Sequence, residues 1–179
     1  MKNVFLLIIL ICVAAVGARA QDKASTGSGS AQATDSLKPY QKYPMLPAFN
    51  ILLIDSTTIF NTYNIHKGKP SAIVFFDPDC KHCKNTFKRL QAGWDSVKNV
   101  NFYLVTPTHN WEYLRKFYTD FHIADYKNIQ AIGRDYEFFF FSNYGTKFFP
   151  DVVLYDEHKK LIKLIEGEFN ATDIYNLVH

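Results

Sequence analysis

Short apolar runs alternate along this chain with stretches in which apolar residues recur every three or four positions. The runs predict β-strands, whereas the wider spacing predicts amphipathic helices. The predicted strands are 49–54, 71–76, 101–106, 152–155 and 161–165, with a short extended or helical piece at 58–65. The predicted helices are 81–98, 111–121, 136–144 and 170–178. Strands that alternate with helices, followed by a late antiparallel pair, predict an α/β domain with a central mixed sheet flanked by helices.

Aromatic and proline-rich segments refine this outline. Four consecutive phenylalanines occupy 138–141, and we expect them to fill the core rather than line a substrate groove. Pro39, Pro44 and Pro47 predict an extended lead-in before the first strand.

The first twenty residues have the three parts of a secretory signal peptide. Lys2 supplies a positive start, 4–16 are apolar, and 18–20 offer small residues at the cleavage positions. The apolar stretch of about 13 residues is shorter than the ~20 that span a bilayer, which favours cleavage after Ala20 over a retained anchor. Ile11 is too bulky for lipoprotein processing before Cys12, so we expect no lipid anchor.

The segment after the signal peptide is rich in Ser, Thr, Gly, Ala and Gln. Such a composition buries too little apolar surface to offset the entropy of ordering it. We therefore predict a signal peptide at 1–20, a disordered tether at 21–44 and a single domain at 45–179.

Removal of the signal peptide changes both the charge and the cysteine count. The whole chain carries a net charge of +3, and the loss of Lys2 and Arg19 leaves about +1. This balance predicts no nucleic-acid partner. Cys12 leaves as well, so Cys80 and Cys83 are the only cysteines of the mature chain. A single close pair favours a reactive site over a disulfide-stapled scaffold.

Cys80 and Cys83 lie where the predicted strand 71–76 gives way to the predicted helix 81–98. The free N–H groups and the dipole of a helix start favour the thiolate, which is the reactive form of cysteine. Strand, Cys-x-x-Cys and helix in this order predict a dithiol redox site that needs no other cofactor. We expect Cys80 to attack a substrate disulfide and Cys83 to resolve the mixed disulfide.

Four charged or titratable residues next to the cysteines bear on the stability of the thiolate. Lys81 and His82 place positive charge between the two cysteines, whereas Asp77 and Asp79 place negative charge before them. These effects oppose each other, so the sign of the net effect stays open.

The surroundings of the cysteines do not match common metal or haem sites. Zinc requires two further ligands, and the sequence has no second close pair of Cys or His. Covalent haem attachment requires histidine directly after the second cysteine, a position that Lys84 occupies. We therefore predict no bound metal.

The order of these elements resembles the thioredoxin fold, and in particular the exported thioredoxin-like proteins of the TlpA/ResA type. Three segments within 45–179 carry the resemblance: the Cys-x-x-Cys segment 75–83, the proline segment 144–155 and the hairpin-like segment 156–167. The resemblance implies a thiol-disulfide oxidoreductase of the bacterial periplasm. It also implies that Pro150 forms a cis-proline loop facing the cysteines, where Phe149 and Pro150 bind the substrate, with Tyr144 and Phe148 beside them.

Two departures from the family concern proton transfer. Many relatives bury an acidic residue six positions before the first cysteine, and others carry a glutamate six positions after it. Val74 and Thr86 occupy these positions here, so the usual proton acceptors are absent.

The resemblance also implies the partners and two alternatives. The partners are protein thiols or disulfides and a membrane or periplasmic redox protein, and we expect a monomer. One alternative is a disulfide-forming oxidant of the same fold, because histidine precedes the second cysteine in strongly oxidising relatives. The other is a non-catalytic copper-binding or interaction module with His109 as a remote ligand, although we expect His109 to be a solvated loop residue.

Overall fold

A computed structural model describes residues 37–179 as a mixed sheet with helices on both faces. The strands of the described residues are β1 Asn50–Leu53, β2 Ile59–Asn61, β3 Ser71–Phe75, β4 Asn101–Thr106, β5 Ile129–Arg134, β6 Asp151–Tyr155 and β7 Leu161–Glu166. The helices are α1 Pro39–Lys42, α2 Lys81–Ala92, α3 Trp111–Asp120, α4 Phe139–Tyr144 and α5 Ala171–Val178, with short 3-10 helices at Thr62–Asn64, Trp94–Val97 and Ile123–Asp125.

The sheet has the strand order β2-β1-β5-β4-β3-β6-β7. β3, β4 and β5 are parallel, whereas β1, β6 and β7 each run antiparallel to a neighbour. The predicted α/β class with a mixed sheet is therefore confirmed. β3 is buried at every position because it lies between β4 and β6 with helices above and below, as its continuous apolar sequence predicts.

Alternate residues of the central strands build two cores on opposite faces of the sheet. Val74 and Leu104 face a core formed with α2, α3 and α5, and Cys83 belongs to it. Ile73 and Val105 face the second core, which α4 covers. The period-two alternation of a strand thus sends neighbouring side chains into different cores, and Cys83 enters the first core from α2.

The sequence pattern predicts no element between 122 and 135, yet β5 lies there. Gly133 is the reason that the sequence pattern is weak. A Cβ atom at this position would lie 2.3 Å from the carbonyl oxygen of Leu52 on β1, so only glycine allows the two strands to approach this closely. Glycine adds no apolar side chain to the run, and β5 depends instead on its neighbours in the sheet.

Two predicted helices are shorter in the structure. The predicted helix 81–98 ends at Ala92, and Gly93 separates it from the 3-10 helix Trp94–Val97. The predicted helix 136–144 begins only at Phe139, where both carboxylate oxygens of the buried Asp135 accept hydrogen bonds from the first two N–H groups of α4. A local side-chain acceptor thus fixes the start of α4.

The predicted extended lead-in is wrong at α1. Proline is well suited to the first position of a helix, because its missing N–H has no helical partner there. Tyr40 of α1 packs on Tyr144 with the ring centroids 5.5 Å apart, which ties this turn to the domain. The predicted signal peptide and residues 21–36 of the predicted tether lie outside the described residues. None of the helices within 37–179 is long and apolar enough to cross a membrane.

Candidate active site

Cys80 immediately precedes α2 and is half-buried at the end of a tight loop. Asp77 shapes this loop, since its carbonyl oxygen accepts a hydrogen bond from the Cys80 N–H (3.2 Å) and its Oδ1 accepts one from the Asp79 N–H (2.8 Å). The thiol of Cys80 therefore lies at the positive end of α2, where a negative charge is stabilised.

Cys83 lies one turn further along α2 and is 3% exposed. Burial raises the pKa of its thiol well above the ordinary value. The N–H of Asp77 donates a weak hydrogen bond to Cys83 Sγ at 3.4 Å, which opposes that rise, and the negative charge of the Asp77 carboxylate adds to it. Both thiols are free. The pair thus combines one accessible thiol with one buried and protonated thiol.

The charges predicted to tune the thiolate are partly neutralised by neighbours. Lys84 Nζ forms an ion pair with Asp79 Oδ1 at 2.9 Å, and this bond raises the pKa of Lys84. Lys81 is exposed and makes no ion pair with any residue of the described part of the chain. The carboxylate of Asp77 consequently opposes the thiolate more than that of Asp79 does, because only Asp79 has a cationic partner.

His82 contacts a carboxylate that the sequence analysis missed. Its Nδ1 bonds to Glu168 Oε1, and Glu168 Oε2 bonds to Arg89 on the same helix as His82. Both contacts lower the pKa of the Glu168 carboxyl, and the contact with His82 has the larger effect. Glu168 follows β7 and is 86 positions away along the chain, so no local sequence pattern signals this contact.

Substitution of Glu168 by glutamine is expected to make the cysteine pair more oxidising. The change removes a negative charge beside His82, two positions after Cys80, and takes the anionic partner from Arg89 on the same helix. The surroundings of Cys80 then become more positive, which stabilises the reduced thiolate form. Because Glu168 is about one-third exposed and solvent screens it, we expect a change of about threefold in the equilibrium constant with glutathione. The constant is measured by titrating the pair in glutathione redox buffers.

Glu166→Gln is the matched control, because it removes the same charge two positions earlier from a side chain that does not contact His82. An equal shift in both variants would mean that general charge, and not the contact with His82, sets the effect.

Pro150 lies against the buried cysteine. The peptide bond between Phe149 and Pro150 is cis, as the resemblance implies. Pro150 is buried and lines a cavity together with Cys83, Val74 and Thr86. Phe149 is half-buried and packs on Phe75 with a centroid distance of 5.3 Å. The proline loop and the cysteines therefore adjoin, although they are about 70 positions apart in the sequence.

The aromatic residues near this loop divide into core and surface. The resemblance places Tyr144 beside the substrate, but the residue is fully buried, and its hydroxyl hydrogen-bonds the Tyr155 hydroxyl at 2.7 Å. Phe148, by contrast, is 78% exposed. Phe140 of the phenylalanine run stacks on Phe75 in the core, as expected, whereas Phe138 is half-exposed.

The two positions at which relatives carry an acidic residue are both buried in this protein. Val74 is apolar, and the Thr86 hydroxyl makes no hydrogen bond in the described structure. His109 is exposed in the loop between β4 and α3. Within 37–179, no group of three or more His, Cys, Asp or Glu side chains is arranged to hold a metal ion.

Comparison with protein families gives one match over two-thirds of the chain. A family model described as a thioredoxin-like domain matches residues 62–179, which include both cysteines and Pro150. No curated protein matches the sequence.

Solved structures similar to this fold include three thiol-disulfide proteins. A secreted disulfide oxidoreductase of Mycobacterium tuberculosis, homologous to Escherichia coli DsbE, has a TM-score of 0.58 and 14% identity over 72% of this chain and 92% of its own. A putative thiol:disulfide interchange protein DsbE from Chlorobium tepidum has a TM-score of 0.57 and 17% identity over 74% of this chain and 93% of its own. The thioredoxin domain of a thiol-disulfide oxidoreductase from Bacteroides vulgatus has a TM-score of 0.56 and 19% identity over 74% of this chain and 91% of its own.

Proposed function

This chain belongs to the thioredoxin-like domain family, and on that basis we propose that it is an exported thiol-disulfide oxidoreductase that reduces or exchanges disulfides in other proteins. The observation that carries the proposal is the pairing of an accessible Cys80 at a helix start with a buried Cys83 beside cis-Pro150. This arrangement separates an attacking thiol from a resolving thiol.

In the first step, the thiolate of Cys80 attacks one sulfur of a substrate disulfide. A bond forms between Cys80 and that sulfur, the substrate S–S bond breaks, and the second substrate sulfur leaves and takes a proton from solvent. Cys80 is suited to this step because it is the more exposed thiol and lies at the N-terminus of α2, where the helix dipole favours a negative charge.

In the second step, Cys83 loses its proton and attacks the sulfur of Cys80. The new bond closes the Cys80–Cys83 disulfide, and the remaining substrate sulfur leaves and is protonated. Each turnover oxidises the pair by two electrons, so a reducing partner protein must reduce it again.

The substrate-binding residues are proposed to be Phe149 and Pro150, with the exposed Phe148 beside them. Proline has no N–H, so the backbone that precedes Pro150 is free to pair with an extended substrate segment next to Cys80. Phe148 offers an exposed ring to the apolar side chains of that segment.

The charges around the pair favour the reductant over the oxidant. Two basic side chains near Cys80 have acidic partners, Lys84 with Asp79 and His82 with Glu168. Little net positive charge is left to stabilise the thiolate, and a less stable reduced form is a stronger reductant.

A measurement of the reduction potential tests the proposed direction. We expect a value of about −270 mV, the range of reducing thioredoxins, from equilibration of the Cys80–Cys83 pair with glutathione buffers. A value of about −120 mV would identify the disulfide-forming oxidant instead. Failure of the pair to form a disulfide at any potential would contradict both.

The proposed function includes export from the cytoplasm. We propose that the signal peptide is cleaved after Ala20 and that the mature chain acts as a monomer in the periplasm without a lipid anchor. The pattern of residues 1–20 supports export, and one of the similar structures is a secreted protein. The electron donor is proposed to be a membrane or periplasmic redox protein.

A further inference from the structure

Thr86 is a buried residue whose hydroxyl is left without a partner. It is 2% exposed, and its Oγ1 makes no hydrogen bond in the described structure. Threonine within a helix commonly donates to a carbonyl of the preceding turn, but Thr86 does not. Leaving a buried hydroxyl unpaired costs free energy, so its presence in a core calls for a physical reason.

The surroundings of Thr86 indicate that reason. Thr86 follows Cys83 by three positions on α2, so both side chains lie on one face of the helix. Both line the same cavity, and they supply the only polar side-chain atoms in its lining. The other lining residues are all apolar, among them Val74, Phe87 and Pro150. The cavity, of about 10 Å³, has room for at most one water molecule.

A thiolate at Cys83 would be poorly solvated in such surroundings. Bulk water is excluded, and the N–H of Asp77 is the one donor that contacts Cys83 Sγ among the described residues. A charged sulfur in an apolar cavity needs further donors, because each one lowers the free energy of the charged form.

We propose that the Thr86 hydroxyl turns toward Cys83 and donates a hydrogen bond to its sulfur as the thiol is deprotonated in the resolving step. Thr86 is thus a positioning residue for the buried cysteine, in a cavity whose lining includes no carboxylate. The inference rests on the proposed oxidoreductase function. The reaction balances without another reactant: the Cys83 S–H proton ends on the departing substrate sulfur as the Cys80–Cys83 bond forms.

The test separates the attacking step from the resolving step. Reduced full-length protein is mixed with dithiodipyridine, which releases one coloured thiopyridone when Cys80 attacks and a second when Cys83 resolves the mixed disulfide. Thr86→Val removes the hydroxyl and keeps the shape of the side chain. We expect it to slow the second release about 10-fold to 100-fold, as for the loss of one hydrogen bond to a charged group, and to leave the first unchanged. Thr86→Ser should restore the second release.

Thr119→Val is the matched control, because it removes an exposed hydroxyl from α3. We expect Thr86→Val to melt at no lower temperature than the unmodified protein, since it removes an unpaired buried hydroxyl. A second release within twofold of normal in Thr86→Val would overturn the role of Thr86. The role would also be overturned if Thr119→Val slowed the second release equally. It would be overturned as well if Thr86→Ser did not restore the rate of the second release. If the unmodified protein itself gives no second release, the proposed oxidoreductase function fails instead.

Discussion

Cys80→Ser is expected to lower the rate of insulin-disulfide reduction by more than about 1,000-fold, the size of effect that follows loss of an enzyme nucleophile. A serine hydroxyl does not form a disulfide, so the first covalent step is lost. Cys83 does not replace it, because that thiol is 3% exposed and its pKa is raised by burial. The measurement is the rate at which reduced insulin precipitates, with dithiothreitol as the electron donor and the unmodified protein in parallel.

The substitution is chosen to leave the fold intact. Cys80 is half-buried at the surface end of α2, where serine is a favourable residue because its hydroxyl accepts hydrogen bonds from helix N–H groups. We therefore expect a melting temperature equal to or above that of the unmodified protein. Full insulin-reducing activity in a folded Cys80→Ser variant would falsify the proposal that this chain is a thiol-disulfide oxidoreductase acting through Cys80.

Cys83→Ser is expected to trap substrates as stable mixed disulfides on Cys80. The attacking thiol remains accessible, but the sulfur that would release the substrate is missing. Turnover with insulin should fall about as far as in Cys80→Ser, because the two cysteines act in sequence on one substrate. The trapped complexes are detected as bands of higher mass on non-reducing gels, and mass spectrometry identifies the substrate proteins.

The control for trapping is the double variant Cys80→Ser/Cys83→Ser, which should form no mixed disulfides. Serine at position 83 keeps a hydrogen-bond acceptor for the N–H of Asp77, so the loop before α2 should retain its shape. If Cys83→Ser reduces insulin as fast as the unmodified protein, Cys83 is not the resolving thiol. Equal trapping by the double variant would show that the complexes do not depend on the cysteines.

The order of the main elements was predictable because most of them carry a strong local pattern. β3 is apolar from Ala72 to Phe75, and α2 and α3 bury the side chains that recur at helical spacing, such as Leu90 and Leu114. β5 and α1 lack such a pattern. β5 includes Gly133, which contributes close contact with β1 rather than a side chain, and α1 is a single turn held by the packing of Tyr40 on Tyr144.

The sequence alone identified the two cysteines as a candidate redox site, because their spacing and their place between a strand and a helix are local properties of the chain. It also identified Pro150 through resemblance, and it showed that Val74 and Thr86 stand where acids are usual. The tertiary structure decided which groups surround the cysteines. The contact of Glu168 with His82, the burial of Tyr144 and the cavity that Cys83 and Thr86 share with Val74 and Pro150 all depend on elements that pack together only after folding. Charge, burial and hydrogen bonding at a thiol depend on such neighbours in space, and these, rather than the cysteine spacing, set its reactivity.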